Sequence, residues 1–167
     1  LWERAVPILR DKRARLCCNA NMRMCLIGEA DPFIAHLLRR FAEESGLHAV
    51  RADVGQEILG LARQFAPEII ILDPDLPGKT RGWEAAAALK GDPDLCLTPI
   101  ITCSWDGATE AHARVSGAAG HLQKPNLHYD DFVAALRGVG AVIGPRLAYR
   151  EPASRADETD GARNGGV

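Results

Sequence analysis

Ile69-Ile70-Ile71-Leu72-Asp73-Pro74-Asp75-Leu76-Pro77 decides how the rest of this chain is read. Four consecutive aliphatics leave no polar side chain to face water. They describe a short strand covered on both sheet faces, the mark of a parallel sheet. An acid follows directly, with Pro74 next. An acid before proline is also an ordinary turn residue. At the end of a buried strand, however, Asp73 stands where open α/β sheets place their chemistry.

Outward from that strand, the apolar pattern alternates between two periods. On the N-terminal side, Met24–Ile27 is a short strand and Pro32 opens a helical pattern (Phe33, Ile34, Leu37, Leu38, Phe41). Gly46, after Ser45, closes it. Leu47–Val50 is a weaker strand, and Ile58, Leu59, Ala62 and Phe65 mark a helix ended by Pro67. On the C-terminal side, Trp83–Leu89 is an Ala-rich helix and Pro99–Cys103 a strand. A polar helix follows around Glu110–Val115, then a short strand Gly120–Leu122 and a last helix Phe132–Val142. Five strand-then-helix units predict an α/β doubly wound, five-stranded parallel sheet with helices on both faces.

The strand ends bring together Glu29 and Asp31, Asp73 and Asp75, Ser104, and Lys124 before Pro125. Carboxylates, a hydroxyl and an ammonium in one crevice suit phosphoryl chemistry. A carboxylate can attack phosphorus, a cation masks the repulsion, and Lys with a hydroxyl binds the phosphoryl oxygens.

At these residues the chain resembles the receiver domain of two-component response regulators, over about residues 22–143. The motifs are Gly28-Glu29-Ala30-Asp31-Pro32, Ile70 through Pro77, Pro99 through Ser104, and Gly117 through Pro125, in order and at family-like spacing. The resemblance implies a (βα)5 flavodoxin-like receiver fold with Asp73 as phospho-acceptor. Ser104 is then the hydroxyl that follows the phosphoryl group and Lys124 its ion-pair partner. His121 occupies the position of a rotating aromatic switch, and the Lys124-Pro125 bond is expected to be cis. Mg2+ is implied, held by Glu29, Asp73 and the Asp75 backbone carbonyl, with Asp31 as a further candidate. Two departures bear on that site. Ala30 replaces an expected carboxylate, which should weaken Mg2+ binding. The loop Pro77–Gly82 is one residue longer than usual and lacks the acid before Gly82.

Composition sets outer bounds. The chain has 167 residues, 47% hydrophobic and 25% charged, with 20 basic and 22 acidic side chains for a net charge of −2. That balance argues against a dedicated polyanion binder. Residues 1–23 carry six basic side chains against Glu3 and Asp11, and residues 144–167 carry four of each sign. The central stretch therefore holds a net −6. Five cysteines (Cys17, Cys18, Cys25, Cys96, Cys103), an odd number without a C-x-x-C pair, suggest a reducing, cytoplasmic setting. No apolar run is long enough to span a membrane, and Leu1–Ala20 lacks the apolar core of a secretory signal. We expect a basic extension over 1–21, with one short helix across Trp2–Leu16, and a disordered tail over 144–167.

The smaller signals are readily placed. Trp83 and Trp105 read as packing residues, and His36, His48, His112 and His128 show no metal-ligand spacing. Gly78-Lys79-Thr80 imitates the end of a phosphate loop, but Asp73 stands where that motif needs its first glycine.

The leading expectation is a non-enzymatic phospho-accepting switch without an output domain. Its partners would be a sensor histidine kinase or histidine phosphotransfer protein, and a downstream protein target. A homodimer is left open; nucleic acid and membrane are not expected partners. The alternative is a degenerate receiver acting as a non-phosphorylated adaptor or dimerisation module, for which Ala30 is the main support. A third reading is a haloacid-dehalogenase-like phosphatase with Asp73 as nucleophile and Asp75 as acid. Pro77 and the missing room for a substrate cap stand against it.

Overall fold

The computed structural model describes residues 22–145. The helix expected over Trp2–Leu16 and the tail beyond Pro145 lie outside the described residues. Five strands alternate with five helices: β1 (Met24–Gly28), α1 (Pro32–Glu44), β2 (His48–Ala52), α2 (Gly55–Phe65), β3 (Ile69–Leu72), α3 (Gly82–Gly91), β4 (Ile100–Ser104), α4 (Ala108–Arg114), β5 (Gly120–Gln123) and α5 (Tyr129–Gly138). All pairs in the sheet are parallel, in the order β2-β1-β3-β4-β5. The doubly wound α/β architecture expected from the alternation is the one observed.

The strand β3 shows why the reading from Ile69 succeeds. All four residues are fully buried. Ile69 and Ile71 join one core with Ile27, Ile101 and the inner faces of α1 and α5, including Leu38, Phe132 and Leu136. Ile70 and Leu72 join the opposite core with Leu26, Ile58, Ala85 and Leu89, under α2 and α3. The period of two sends alternate side chains to opposite faces, and helices cover both. Each of these aliphatics contributes about 1.5–3 kcal/mol relative to an exposed side chain.

Local signals fix the element ends. Asp31 caps α1, its Oδ1 accepting from the N–H groups of Phe33 (2.8 Å) and Ile34 (3.0 Å), and Pro32 takes the first helical turn. Gly46, at φ +78°, turns the chain out of α1. The last helix stops earlier than its apolar pattern suggested, at Gly138 rather than Val142. The Val139 N–H closes the final turn and Gly140, at φ +79°, reverses the chain.

The sheet order places the site. β1 and β3 are neighbours, and the connection from β1 runs to β2 on one side while that from β3 runs to β4 on the other. A crevice opens at the carboxyl ends of β1 and β3. Gly28 pairs with Leu72, which makes Glu29 and Asp73 the next residues side by side, and the Asp73 N–H donates to the Gly28 carbonyl at 2.9 Å. Ser104 pairs with Gln123, which brings Lys124 to the same rim; its N–H donates to the Ser104 carbonyl at 2.8 Å. α3 is seated close against the rim at Gly82, where a Cβ would lie 2.0 Å from the Asp73 carbonyl oxygen. No helix among the described residues is long and apolar enough to cross a membrane.

Candidate phosphoryl site

The crevice is built around one buried ammonium. Lys124 is 2% exposed, and its Nζ donates to Asp73 Oδ2 at 2.7 Å. It also lies 2.5 Å from Glu29 Oε2, an ion pair by distance without hydrogen-bond alignment. Burial opposes the charge on Lys124, but the two carboxylates outweigh it, so its pKa stands above the ordinary 10.5. The Lys124-Pro125 bond is cis, as the resemblance implied. Glu29 is equally buried and anchors the β1–α1 turn, its Oε1 accepting from the Asp31 N–H at 2.9 Å. Asp73 is the accessible member, 13% exposed, and its Oδ1 accepts from the Asp75 N–H at 2.8 Å.

The hydroxyl side of the crevice belongs to β4 and β5. Ser104 is buried, and its Oγ donates to the Asp106 carbonyl at 3.1 Å, which engages the hydroxyl with its own loop. His121 is half-buried on β5, its Nδ1 2.9 Å from Thr102 Oγ1, while its buried Nε2 has no hydrogen-bond partner among the described residues. Burial first, then the neighbouring His112, hold the His121 pKa below its ordinary value. The two imidazole rings meet edge to face at 6.2 Å.

The structure thus brings Glu29, Asp73 and Lys124 into contact and places Ser104 and His121 on the adjoining strands. Two of the expected residues make further contacts through their side chains. Asp31 Oδ1 caps α1. The Asp75 side chain turns outward and pairs with Arg114, which holds its carboxyl below the usual carboxylate range. Trp83 and Trp105 correct the expectation of packing: they are 43% and 63% exposed and flank the rim. Trp83, in the first turn of α3, and Trp105, just past β4, join neither core.

Three side chains with a part in the site escaped the sequence reading. Arg51 on β2 holds the β1–α1 turn, donating Nε to the Glu29 carbonyl (3.0 Å) and Nη2 to the Ala30 carbonyl (2.8 Å). Thr102 fixes His121. Arg114 gathers Asp75 and Asp106. No spacing rule links such partners.

Glu29 and Asp73 converge on the Lys124 ammonium, and the Ala30 side chain adds no oxygen there. Among the described residues no group of three or more His, Cys, Asp or Glu is arranged to hold a metal. Two carboxylates still fit a hydrated Mg2+, which commonly takes one or two protein carboxylates together with waters and phosphate oxygens. The residues suit that kind of cation, not an all-protein cage.

A parallel sheet of this order, an acid at the central strand end and a buried lysine clasping it define a receiver-type domain. Comparison with known proteins agrees. The model of the response regulator receiver domain family matches residues 25–137, and the chain belongs to that family. It is 29% identical over 134 residues to the response regulator GacA of Pseudomonas aeruginosa, covering 77% of this chain and 61% of that protein. The chain thus spans about three fifths of the length of that relative. It is 32% identical over 102 residues to the polar-differentiation response regulator DivK of Brucella ovis, covering 60% of this chain and 82% of DivK. Among solved structures, the chemotaxis protein CheY4 of Vibrio cholerae superposes with a TM-score of 0.63 at 21% identity, over 71% of this chain and 99% of that one. The receiver domain of the sensor histidine kinase PA1611 of Pseudomonas aeruginosa gives a TM-score of 0.63 at 18% identity, over 72% and 100% of the two chains. That structure has a magnesium ion coordinated in its active-site cleft.

Proposed function

We propose that this receiver is a phospho-accepting switch of a two-component phosphorelay, phosphorylated on Asp73 and acting in the cytoplasm through protein–protein contacts. The observation that carries the reading is the Lys124–Asp73 contact. The ammonium holds Oδ2 at 2.7 Å, and of the three charged side chains in the crevice Asp73 is the most open to a donor. In the reaction, an Asp73 carboxylate oxygen attacks the phosphorus of a phosphohistidine. A P–O bond forms, the P–N bond breaks, and the electron pair leaves with the imidazole nitrogen, which takes up a proton. Mg2+ held by Glu29 and Asp73 would supply positive charge that offsets the phosphoryl oxygens.

The new group adds about 1.5 to 2 negative charges to the crevice. Lys124 stays bound to it. The Ser104 hydroxyl exchanges the Asp106 carbonyl for a phosphoryl oxygen, and His121 turns into the space vacated. The face formed by β4, β5 and α5 changes shape, biasing an equilibrium between two states that a target can read. The donor is a sensor histidine kinase or histidine phosphotransfer protein. The reader is a downstream protein or a second copy of the chain. Nucleic acid and membrane have no part in this reading.

Ala30 favours one competitor, a non-phosphorylated adaptor. Incubation with a small phosphodonor and Mg2+, followed by intact-mass measurement, separates the two. A single phosphoryl adduct that is absent from Asp73→Asn supports the switch; no adduct on the wild type supports the adaptor. A phosphatase would need Asp75 as a proton donor, and its pairing with Arg114 keeps that carboxyl ionised.

A further inference from the structure

A second charge cluster lies at the crevice mouth. Arg114, the last residue of α4, donates Nη1 to Asp75 Oδ2 at 2.9 Å and to Asp106 Oδ2 at 3.1 Å, with Nη2 on Asp75 Oδ1. One guanidinium thereby joins α4, the β3–α3 loop and the β4–α4 loop. Both loops hold site residues directly. The Asp75 N–H donates to Asp73 Oδ1, and the Asp106 carbonyl accepts from Ser104 Oγ. Asp75 also lies within the field of Lys124.

We propose that Arg114 is a phosphoryl-binding clasp: it grips Asp75 and Asp106 while Asp73 is unmodified, and transfers to the phosphoryl oxygens when Asp73 is phosphorylated. The proposal rests on the reading of Asp73 as phospho-acceptor. A phosphoryl group on Asp73 repels the Asp75 carboxylate two residues away and competes for its cation. The planar guanidinium binds phosphate with the same two-pronged geometry that it uses for carboxylate. Its present pairs are largely solvated, with side chains 36–57% exposed, and solvated pairs exchange readily. Ala30 sharpens the need. Where the metal loses a carboxylate, fixed cations must carry more of the phosphoryl charge, and Arg114 with Lys124 would match a dianion. Because Arg114 ends α4, its transfer would draw the last turn of that helix towards the crevice. His112, on the same helix and in ring contact with His121, would move with it.

Beryllofluoride in excess Mg2+ mimics the phosphoryl group, and Trp105, exposed beside Asp106, reports its binding by fluorescence. Arg114→Ala should bind the mimic about tenfold more weakly than wild type, the effect of one charge-assisted hydrogen bond. Arg114→Lys should fall between them, having the charge without the fork. Asp106→Asn removes one holder of Arg114 and should tighten binding, and that gain should disappear in the Arg114→Ala background. Unchanged affinity in Arg114→Ala overturns the proposal. So does an Asp106→Asn gain that persists in full without Arg114, because simple loss of a negative charge then explains it. If the wild type neither binds the mimic nor accepts a phosphoryl group, the reading of Asp73 fails and this proposal with it. If the wild type does both and Arg114→Ala behaves identically, only the clasp is lost.

Discussion

Lys124 between Glu29 and Asp73, and Arg114 between Asp75 and Asp106, are one arrangement in two media. Each is a cation bridging two carboxylates from different strand ends. The first cation and Glu29 are 2% exposed; in the second cluster every member is at least 36% exposed. Inside, the charges have left water and depend on one another, so removing one strands the rest. At the mouth, water competes for every contact, so the pairs add little stability and can exchange partners. The difference separates two tasks. The buried set holds the phospho-acceptor in place, and the solvated set is free to respond.

The largest expected effect tests that contrast in stability. Lys124→Met should lower the unfolding free energy by about 3–5 kcal/mol, because Glu29 is left as an uncompensated buried charge. Arg114→Met should cost less than about 1 kcal/mol. Urea denaturation of both variants measures the gap, and similar losses would erase the distinction.

The pH dependence of the melting temperature separates the clusters next. Lys124 has a folded pKa above its ordinary 10.5, so its contribution is complete below that value and is lost as pH rises through the higher folded one. Asp75 has a folded pKa below its ordinary 3.8, so its contribution is complete above that value and is lost as pH falls through the lower folded one. Lys124→Met should therefore flatten the alkaline limb, and Arg114→Met should alter only the acid limb, by a smaller amount.

Salt gives a finer test. Raising ionic strength should narrow the stability difference between wild type and Arg114→Met and leave that for Lys124→Met almost unchanged, since only the solvated pairs are screened. Thiol labelling gives the smallest signal. Burial pushes the Cys103 thiol, one residue before Ser104, up to about 12, and Cys25 likewise. Both should resist alkylation in the native protein at neutral pH and react on unfolding. Fast labelling of Cys103 would show that the inner end of the crevice opens to water.

How far the sequence could be read follows the same division. The strand β3 and its acid were legible because burial on both faces leaves a local mark: Ile69–Leu72 carries no polar residue and Asp73 follows at once. Glu29 and Lys124 were legible because they follow their own strands directly, and parallel register does the rest. At the mouth only Asp75 was legible. Arg114 lies 39 residues from Asp75 on a short polar helix, and nothing in its own segment distinguishes it from a solvated arginine. Arg51 is hidden for the same reason, a lone cation on an edge strand whose partners are backbone carbonyls. Asp31 was legible as a candidate ligand and not as the cap of α1, the contact that engages its Oδ1. The exposure of Trp83 and Trp105 depends on what stacks above the strand ends, which periodicity does not report.

The central claim is that Asp73 accepts the phosphoryl group despite the alanine at position 30. The most direct measurement is borohydride reduction of the protein after exposure to a small phosphodonor and Mg2+, followed by peptide mapping. An acyl phosphate is reduced where it formed, so the account predicts homoserine at position 73 and at no other carboxylate. Unmodified Asp73 in a folded protein under those conditions, or reduction at a different acid, would contradict it.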